Sequence, residues 1–241
     1  MAIISTKAIV ISTIKYSDTS LIVRLYTKEV GLVSYLLKGI LKSKKGKLRT
    51  AYFQPLTQLS IITSHQEKRN LQTLKEAQVI HVYESIHTSV VKQSIVLFLS
   101  EILTSAIQEE ENNTLLYEYL ESSLIWFDSH EQISNFHLLF LLNLTKFLGF
   151  YPDVSKSNKN GFHLREGFFT DDLQDKEVIK GTEINQFKKL LGINFDTLEY
   201  MNFSKTERQR LLQTLIRYFE LHLGGFRTPR SLAVLETVFS K

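Results

Sequence analysis

AIVISTIKYSDTSLIVRLYTKEVGLVSYLLKG, residues 8–39, decides how the first third of the chain folds. β-Branched and apolar residues run in three short blocks, 8–16, 21–27 and 32–38, with the polar turns YSDTS and KEVG between them. Blocks of this kind, punctuated by turn residues, are strands of a meander. QPLTQLSIIT (54–63) and NLQTLKEAQVIHV (70–82) add two more. The opening MAIISTKAIVIS lacks the charged leader and long apolar run of a secretory signal, so it also reads as strand. Five short strands in about 80 residues predict a small barrel, and a five-stranded Greek-key OB-fold matches that count and size. In such barrels the strand faces and connecting loops hold single-stranded nucleic acid.

The third and fourth strands flank KGILKSKKGKLR, residues 38–49, which carries Lys38, Lys42, Lys44, Lys45, Lys47 and Arg49 and no acid. The chain as a whole is close to balanced, with a formal net charge of +4. That small value conceals an asymmetry. Residues 1–80 hold 13 Lys/Arg against 4 Asp/Glu, a balance of +9; residues 81–150 hold 2 against 9, a balance of −7. Residues 151–241 hold 14 against 12. A basic segment beside an acidic one points to a polyanionic partner for the first and not the second. Nucleic acid, an acidic protein tail and an anionic membrane surface qualify. The membrane fits least, because the segment has no amphipathic helix with a basic face.

From residue 84 the apolar period becomes helical. Helices are predicted over 84–108, 114–127, 133–149, 182–192 and 204–224, with a short last one over 231–239. Ser204 and Glu207 have capping-box spacing, and Gly149 and Gly224 stand where helices close. The organisation expected is an OB-fold over 1–82 and a helical domain over 83–241, with an irregular insert at 150–181. The insert includes a hairpin around Arg165–Gly167. The most apolar runs, 94–103 and 136–144, are too short to span a bilayer, which takes about 18 residues or more. The absence of cysteine rules out disulfides and thiolate-held metal, and fits a reducing cytoplasm.

No Walker A loop, GxGxxG, HExxH or GxSxG is present. His81 and His87 lie six apart across a strand-to-helix boundary, a weak metal pattern, and His137 falls in an apolar helix. Adjacent Asp171 and Asp172 would point to opposite faces of a strand, whereas acid–base catalysis needs convergent carboxylates. The residues therefore argue for a binding protein with no catalytic residue, no metal and no cofactor. Lys7, Lys15 and Arg24 add to the charge of the strand region. Tyr16, Tyr26, Tyr35, Tyr52 and Phe53 are candidates to stack on bases, although core packing is the simpler role for each. Trp126 and most other aromatics are expected in the core.

Three stretches together resemble a known family. YSDTSLIVRLYTKEVGLVSYLLKGILKSKKGKLRTAYFQPLTQLSI, LLNLTKFLGFYPDV and YFELHLGGFRTPRSLAVLE are ordered and spaced as in the bacterial RecO recombination mediators. The resemblance implies an N-terminal OB-fold and a helical domain, hence an α+β fold. It implies a cytoplasmic, nucleoid-associated bacterial protein that binds single- and double-stranded DNA and anneals complementary strands. It further implies help in loading RecA onto DNA coated by single-strand-binding protein, with RecR and the acidic C-terminal tail of the coating protein as partners, and RecF as a partner left open. By position, Arg24, Lys38, Lys42, Lys44, Lys45, Lys47 and Arg49 match the family's basic surface. Arg227 and Arg230 are offered for the acidic tail. Many family members carry a four-cysteine zinc module where this chain has DVSKSNKNGFHLREGFF, so no zinc is expected here. Packing of Phe162, Leu164, Phe168 and Phe169 is expected to hold the insert instead. Two alternatives stand beside the mediator: a protein-interaction scaffold whose basic loop contacts an acidic protein, and a nuclease. The nuclease would need clustered acids, and the basic segment has only Asp18, Glu29, Glu67 and Glu76.

Overall fold

The computed structural model describes residues 2–42, 48–66, 69–107 and 112–238. Five strands, β1 (Ala2–Lys15), β2 (Leu21–Thr27), β3 (Gly31–Leu37), β4 (Gln58–His65) and β5 (Leu71–Val79), close into a barrel in the order β1-β2-β3-β5-β4. This is the OB-fold expected from the sequence. β1 is long enough to serve two neighbours: Ala2–Ile9 pair with β4 and Ala8–Lys15 with β2. Its register shifts between Val10 and Ser12, and that bulge turns the strand from one partner to the next. Val10, Val23, Leu25, Tyr35, Leu59 and Ile61 fill the interior.

Two local devices explain particular sequence features. In TKEVG the Thr27 hydroxyl donates to the Gly31 carbonyl (2.9 Å) and accepts from the Val30 amide (3.1 Å), and Gly31 takes φ +68°, a conformation cheap only for glycine. At the β1 bulge, Val10 exchanges backbone hydrogen bonds with Leu56 and Thr57. Leu56 is fully buried at φ 59°, and its carbonyl accepts from the Tyr83 hydroxyl at 2.8 Å. Residues 54–57 are thus taken up by this anchor, so β4 begins at Gln58 and not at Gln54.

Contacts divide the chain into two compact units, Met1–Asp128 and Ser129–Lys241. The first contains the barrel and helix α1 (Val90–Ala106), with nearly all of α2 (Thr114–Ser129). The predicted first helix starts six residues late. The Asp128 carboxylate accepts the amides of Glu84, Ser85 and Ile86 at 2.8–2.9 Å, which holds 84–86 in a turn. Ser89 then caps α1. Lys92, 5% exposed, donates to the Phe127 and Asp128 carbonyls at 2.8 Å, a cation at the C-terminal end of α2.

The second unit holds α3 (Phe136–Phe147), a three-stranded sheet of β6 (Gly161–His163), β7 (Phe168–Thr170) and β8 (Val178–Lys180), then α4 (Thr182–Leu191), α5 (Lys205–His222) and α6 (Leu232–Val238). The hairpin at 165–167 forms as expected, with Gly167 at φ +72°; β8 has no counterpart among the predicted strands. Phe162, Leu164 and Phe169 are buried, and the Phe162 ring packs against Phe169, Phe187 and Tyr218. Phe168 departs from expectation: it is 41% exposed, because alternation along β7 turns it away from the side where Phe169 packs. The Ser204–Glu207 capping box is present. α5, however, ends at His222, and the left-handed turn residue is Gly225 (φ +79°) and not Gly224.

Candidate nucleic-acid interface

One end of the barrel gathers the C-terminus of β1, the turn to β2 and the segment after β3. β1 and β2 meet there at Lys15 opposite Leu21, and β2 and β3 at Leu21 opposite Leu37. The Gly39 amide donates to Ser20 Oγ (3.4 Å) and the Leu41 amide to the Thr19 carbonyl (3.1 Å), tying the segment after β3 to the β1–β2 turn. Ile40, 5% exposed, plugs the barrel beneath them. On the other side of the loop, Phe53 is buried in the barrel core, and its carbonyl accepts from the Thr13 hydroxyl at 2.8 Å. Lys38, Lys42 and Arg49 are exposed, with no ion pair among the described residues, and Lys15 meets only the exposed Asp18 at 3.8 Å. Lys44, Lys45 and Lys47 lie outside the described residues.

Other cations of the barrel have internal partners. Lys7 Nζ lies 2.9 Å from Glu121 and Lys28 Nζ 2.9 Å from Glu118, both acids on α2. Arg24 does not join the cationic end. It is half-buried beside α1, its guanidinium donates to the Thr104 carbonyl at 3.4 Å, and desolvation lowers its pKa. Part of the acidic middle of the sequence therefore neutralises the barrel's flank, so Lys7 and Arg24 do not add to an open basic surface. The aromatic candidates separate as sharply. Tyr26 (1%), Tyr35 (0%) and Phe53 (2%) are core residues; burial pushes both tyrosine hydroxyls up to about 12. Tyr52 is half-buried against the same core. Tyr16 is 61% exposed, and beside it stand Ile14 (58%) and, on the linked segment, Leu41 (40%).

The remaining sequence candidates gather no chemistry. Tyr83 sits between His81 and His87, with ring centroids 5.2 and 5.8 Å away, and His81 reaches no closer than 4.0 Å to Asp128. Burial opposes ionisation of Asp128, but the three amides and the Ser85 hydroxyl outweigh it and hold its pKa below the usual range. His137 is buried in α3, and desolvation, with Arg208 nearby, pushes it down to about 3, so it is neutral at physiological pH. Asp171 is engaged by Lys159 at 2.6 Å. Among the described residues no three His, Asp or Glu side chains form a metal-holding group, and no helix is long and apolar enough to cross a membrane.

In the second unit Arg227 and Arg230 are exposed after α5, beside Phe226, which packs on Phe219. The structure adds a feature no sequence pattern announced. A cavity of about 550 Å³ has Leu164, Val178 and Ile179 in its lining and Lys176 and Arg210 exposed at its edge. Arg217 also lines it, bound to Glu177 at 2.6 Å, which lowers the pKa of that carboxylate. Arg227 and Arg230 do not line this cavity. Its cations, Lys176 on one side and Arg210 and Arg217 on the other, are far apart in sequence, a separation that periodicity cannot bridge.

Comparison with known proteins covers nearly the whole length. Residues 1–83 match the family described as "Recombination protein O N terminal", and residues 87–232 match "Recombination protein O C terminal". The chain is 46% identical over 237 residues to the DNA repair protein RecO of Christiangramia forsetii, covering 98% of this chain and 99% of that protein. It is also 46% identical over 237 residues to the protein of the same name from Flavobacterium psychrophilum, with the same coverage. To that of Phocaeicola vulgatus it is 35% identical over 245 residues, covering 98% of each.

Proposed function

The chain belongs to the recombination protein O family, and on that premise we propose that it acts in recombinational DNA repair by binding DNA at the cationic end of its barrel. The observation that carries this reading is the separation of charge within the first unit. Lys38, Lys42 and Arg49 stand exposed at the end, while the acids Glu118 and Glu121 are spent on Lys7 and Lys28 at the flank. Cations without internal partners neutralise phosphates and release condensed counterions, which favours binding without sequence preference. The same neutralisation lowers repulsion between two complementary strands, so annealing follows from the surface with no bond made or broken and no enzyme activity.

In this reading the barrel over 1–82 is the DNA module and residues 83–241 form the helical domain. The protein works in the bacterial cytoplasm at the nucleoid, binds single- and double-stranded DNA, and helps RecA load onto strands coated by single-strand-binding protein. RecR is its working partner, with RecF as a further candidate, and the coating protein's acidic tail docks on the second unit. Arg227 and Arg230 are the sequence candidates for that tail; a second candidate is the cavity edged by Lys176 and Arg210, where Leu164, Val178 and Ile179 sit among polar side chains that include Glu177 and Glu183. The cavity also favours the rival reading of a protein-interaction scaffold.

Annealing separates the two, since a scaffold gives no reason to accelerate it. The test measures annealing of two complementary oligonucleotides, and anisotropy of one of them against salt, for wild type and Lys38→Ala/Lys42→Ala/Arg49→Ala. The mediator reading expects fast annealing that the triple variant loses, with a salt slope shallower by about 0.7 per contact removed. Unaccelerated annealing by wild type would leave the scaffold.

A further inference from the structure

We propose that Tyr16 is a base-stacking platform that makes the cationic end selective for single strands over duplex; this rests on the DNA-binding reading above. A ring left in water forgoes the burial that drives folding, and here it does so at the tip of a tightly held turn. The Tyr16 amide donates to the Ser20 carbonyl at 3.0 Å, and Ser17 and Ser20 bond each other's backbone, so the turn backbone is fixed. Its side chain is engaged by no ring and no hydrogen bond among the described residues, and it is 61% exposed.

The surroundings say what the ring is suited to meet. Ile14, two residues earlier, points to the same side of the extended chain. It lies opposite Ile22, which lies opposite Leu36, so an apolar row crosses the outer face of β1–β3 next to the turn. Leu41, tied to the turn through Thr19, adds exposed apolar surface on the linked segment, which also carries the exposed Lys38 and Lys42, while Lys15 is paired with Asp18 at 3.8 Å. Rings and aliphatic side chains interleaved with cations complement an unpaired strand, which presents both faces of its bases and its phosphates. A duplex presents phosphates but keeps its bases stacked, so it meets the cations alone. The other highly exposed tyrosine, Tyr200 (75%), makes the contrast. Its hydroxyl is bonded to Glu199, with Asp196 in the same short helical turn, so two acids stand at that ring, whereas the one acid of the Tyr16 turn, Asp18, is met by Lys15 at 3.8 Å.

The test compares wild type, Tyr16→Ala, Tyr16→Phe and Lys38→Ala/Lys42→Ala by anisotropy. Three probes of equal length are used: a single strand, a blunt duplex and an abasic single strand. Tyr16→Ala should bind the single strand roughly tenfold more weakly, the worth of one stacked base. It should bind duplex and abasic strand as wild type does, with an unchanged salt slope. Tyr16→Phe should restore binding, because the ring and not the hydroxyl stacks. The double lysine variant should lose affinity for all three probes. Equal single-strand binding by Tyr16→Ala and wild type overturns the proposal and leaves the DNA-binding reading intact. Equal loss on single strand, duplex and abasic strand also overturns it, since it assigns Tyr16 to the phosphates or to the fold. Wild type binding no probe overturns both, and binding of an acidic peptide instead would turn the surface over to a protein partner.

Discussion

The flank and the end of the barrel are built from the same strands and carry the same type of residue, yet their cations differ in availability. On the flank, Lys7 and Lys28 reach acids of α2 that are 114 and 90 residues away in sequence, and Arg24 reaches a carbonyl of α1. At the end, Lys38, Lys42 and Arg49 are exposed and form no ion pair among the described residues. Lys92 lies further along the same scale, buried and spent on carbonyls at the end of α2. Charge counted along a sequence is therefore not charge offered to a partner. Segment 1–80 holds its +9 on paper, and part of it is consumed internally.

Mutating one cation of each kind breaks or sharpens that contrast. Lys92→Met should cost about 3 kcal/mol of stability, because it strips a buried charge from the Phe127 and Asp128 carbonyls and the Ser85 hydroxyl it is bonded to. Denaturant titration measures this, and single-strand affinity of the folded variant should stay at the wild-type value. Lys38→Ala/Lys42→Ala/Arg49→Ala should do the reverse. Its unfolding midpoint should be unchanged, while single-strand affinity at 0.1 M salt falls about a hundredfold, as expected when the slope drops by about 2. A loss of stability in this variant would mean that the end is not as unpaired as it stands.

The second unit offers a buried base to set beside these exposed ones. The unfolded chain protonates His137 near pH 6.5, whereas the folded chain refuses the proton until about 3. The unfolded state thus binds more protons in that window, and stability must fall as pH drops through it. Between pH 6.5 and 5 the loss is about 2 kcal/mol, and it should be absent in His137→Leu when the two proteins are compared by denaturant midpoints at both values. The smallest effect belongs to Lys7→Ala/Lys28→Ala. Exposed ion pairs contribute little, so the thermal midpoint should shift slightly and the salt slope for single strands not at all. A shallower slope would show that the flank also touches phosphate.

The barrel was legible because strand signals are local. Alternation in 21–27 and 32–38 and the Thr27–Gly31 turn need only neighbouring residues to be understood. Helix ends governed by caps were legible for the same reason, as Ser204 and Glu207 show. The start of α1 was not, because a carboxylate more than 40 residues downstream pins 84–86. The three-residue strand β8 was not, because it exists only as a partner for β6. Phe168 was misread as core because its period-2 neighbour Phe169 took the inner side.

At the candidate site the division is the same. Composition and spacing by themselves determined that this chain makes a five-stranded barrel, that a basic loop interrupts it and that no acid in the loop offsets its lysines. They named five aromatics able to stack. Only the tertiary structure decided that Tyr26, Tyr35 and Phe53 fill the core and Tyr16 faces water, and that Lys7, Lys28 and Arg24 are occupied while Lys38, Lys42 and Arg49 stand exposed with no ion pair among the described residues. The reason is physical. Strand-forming patterns and capping are set by residues adjacent along the backbone, whereas burial and ion pairing are set by whatever the fold brings within a few ångströms through space.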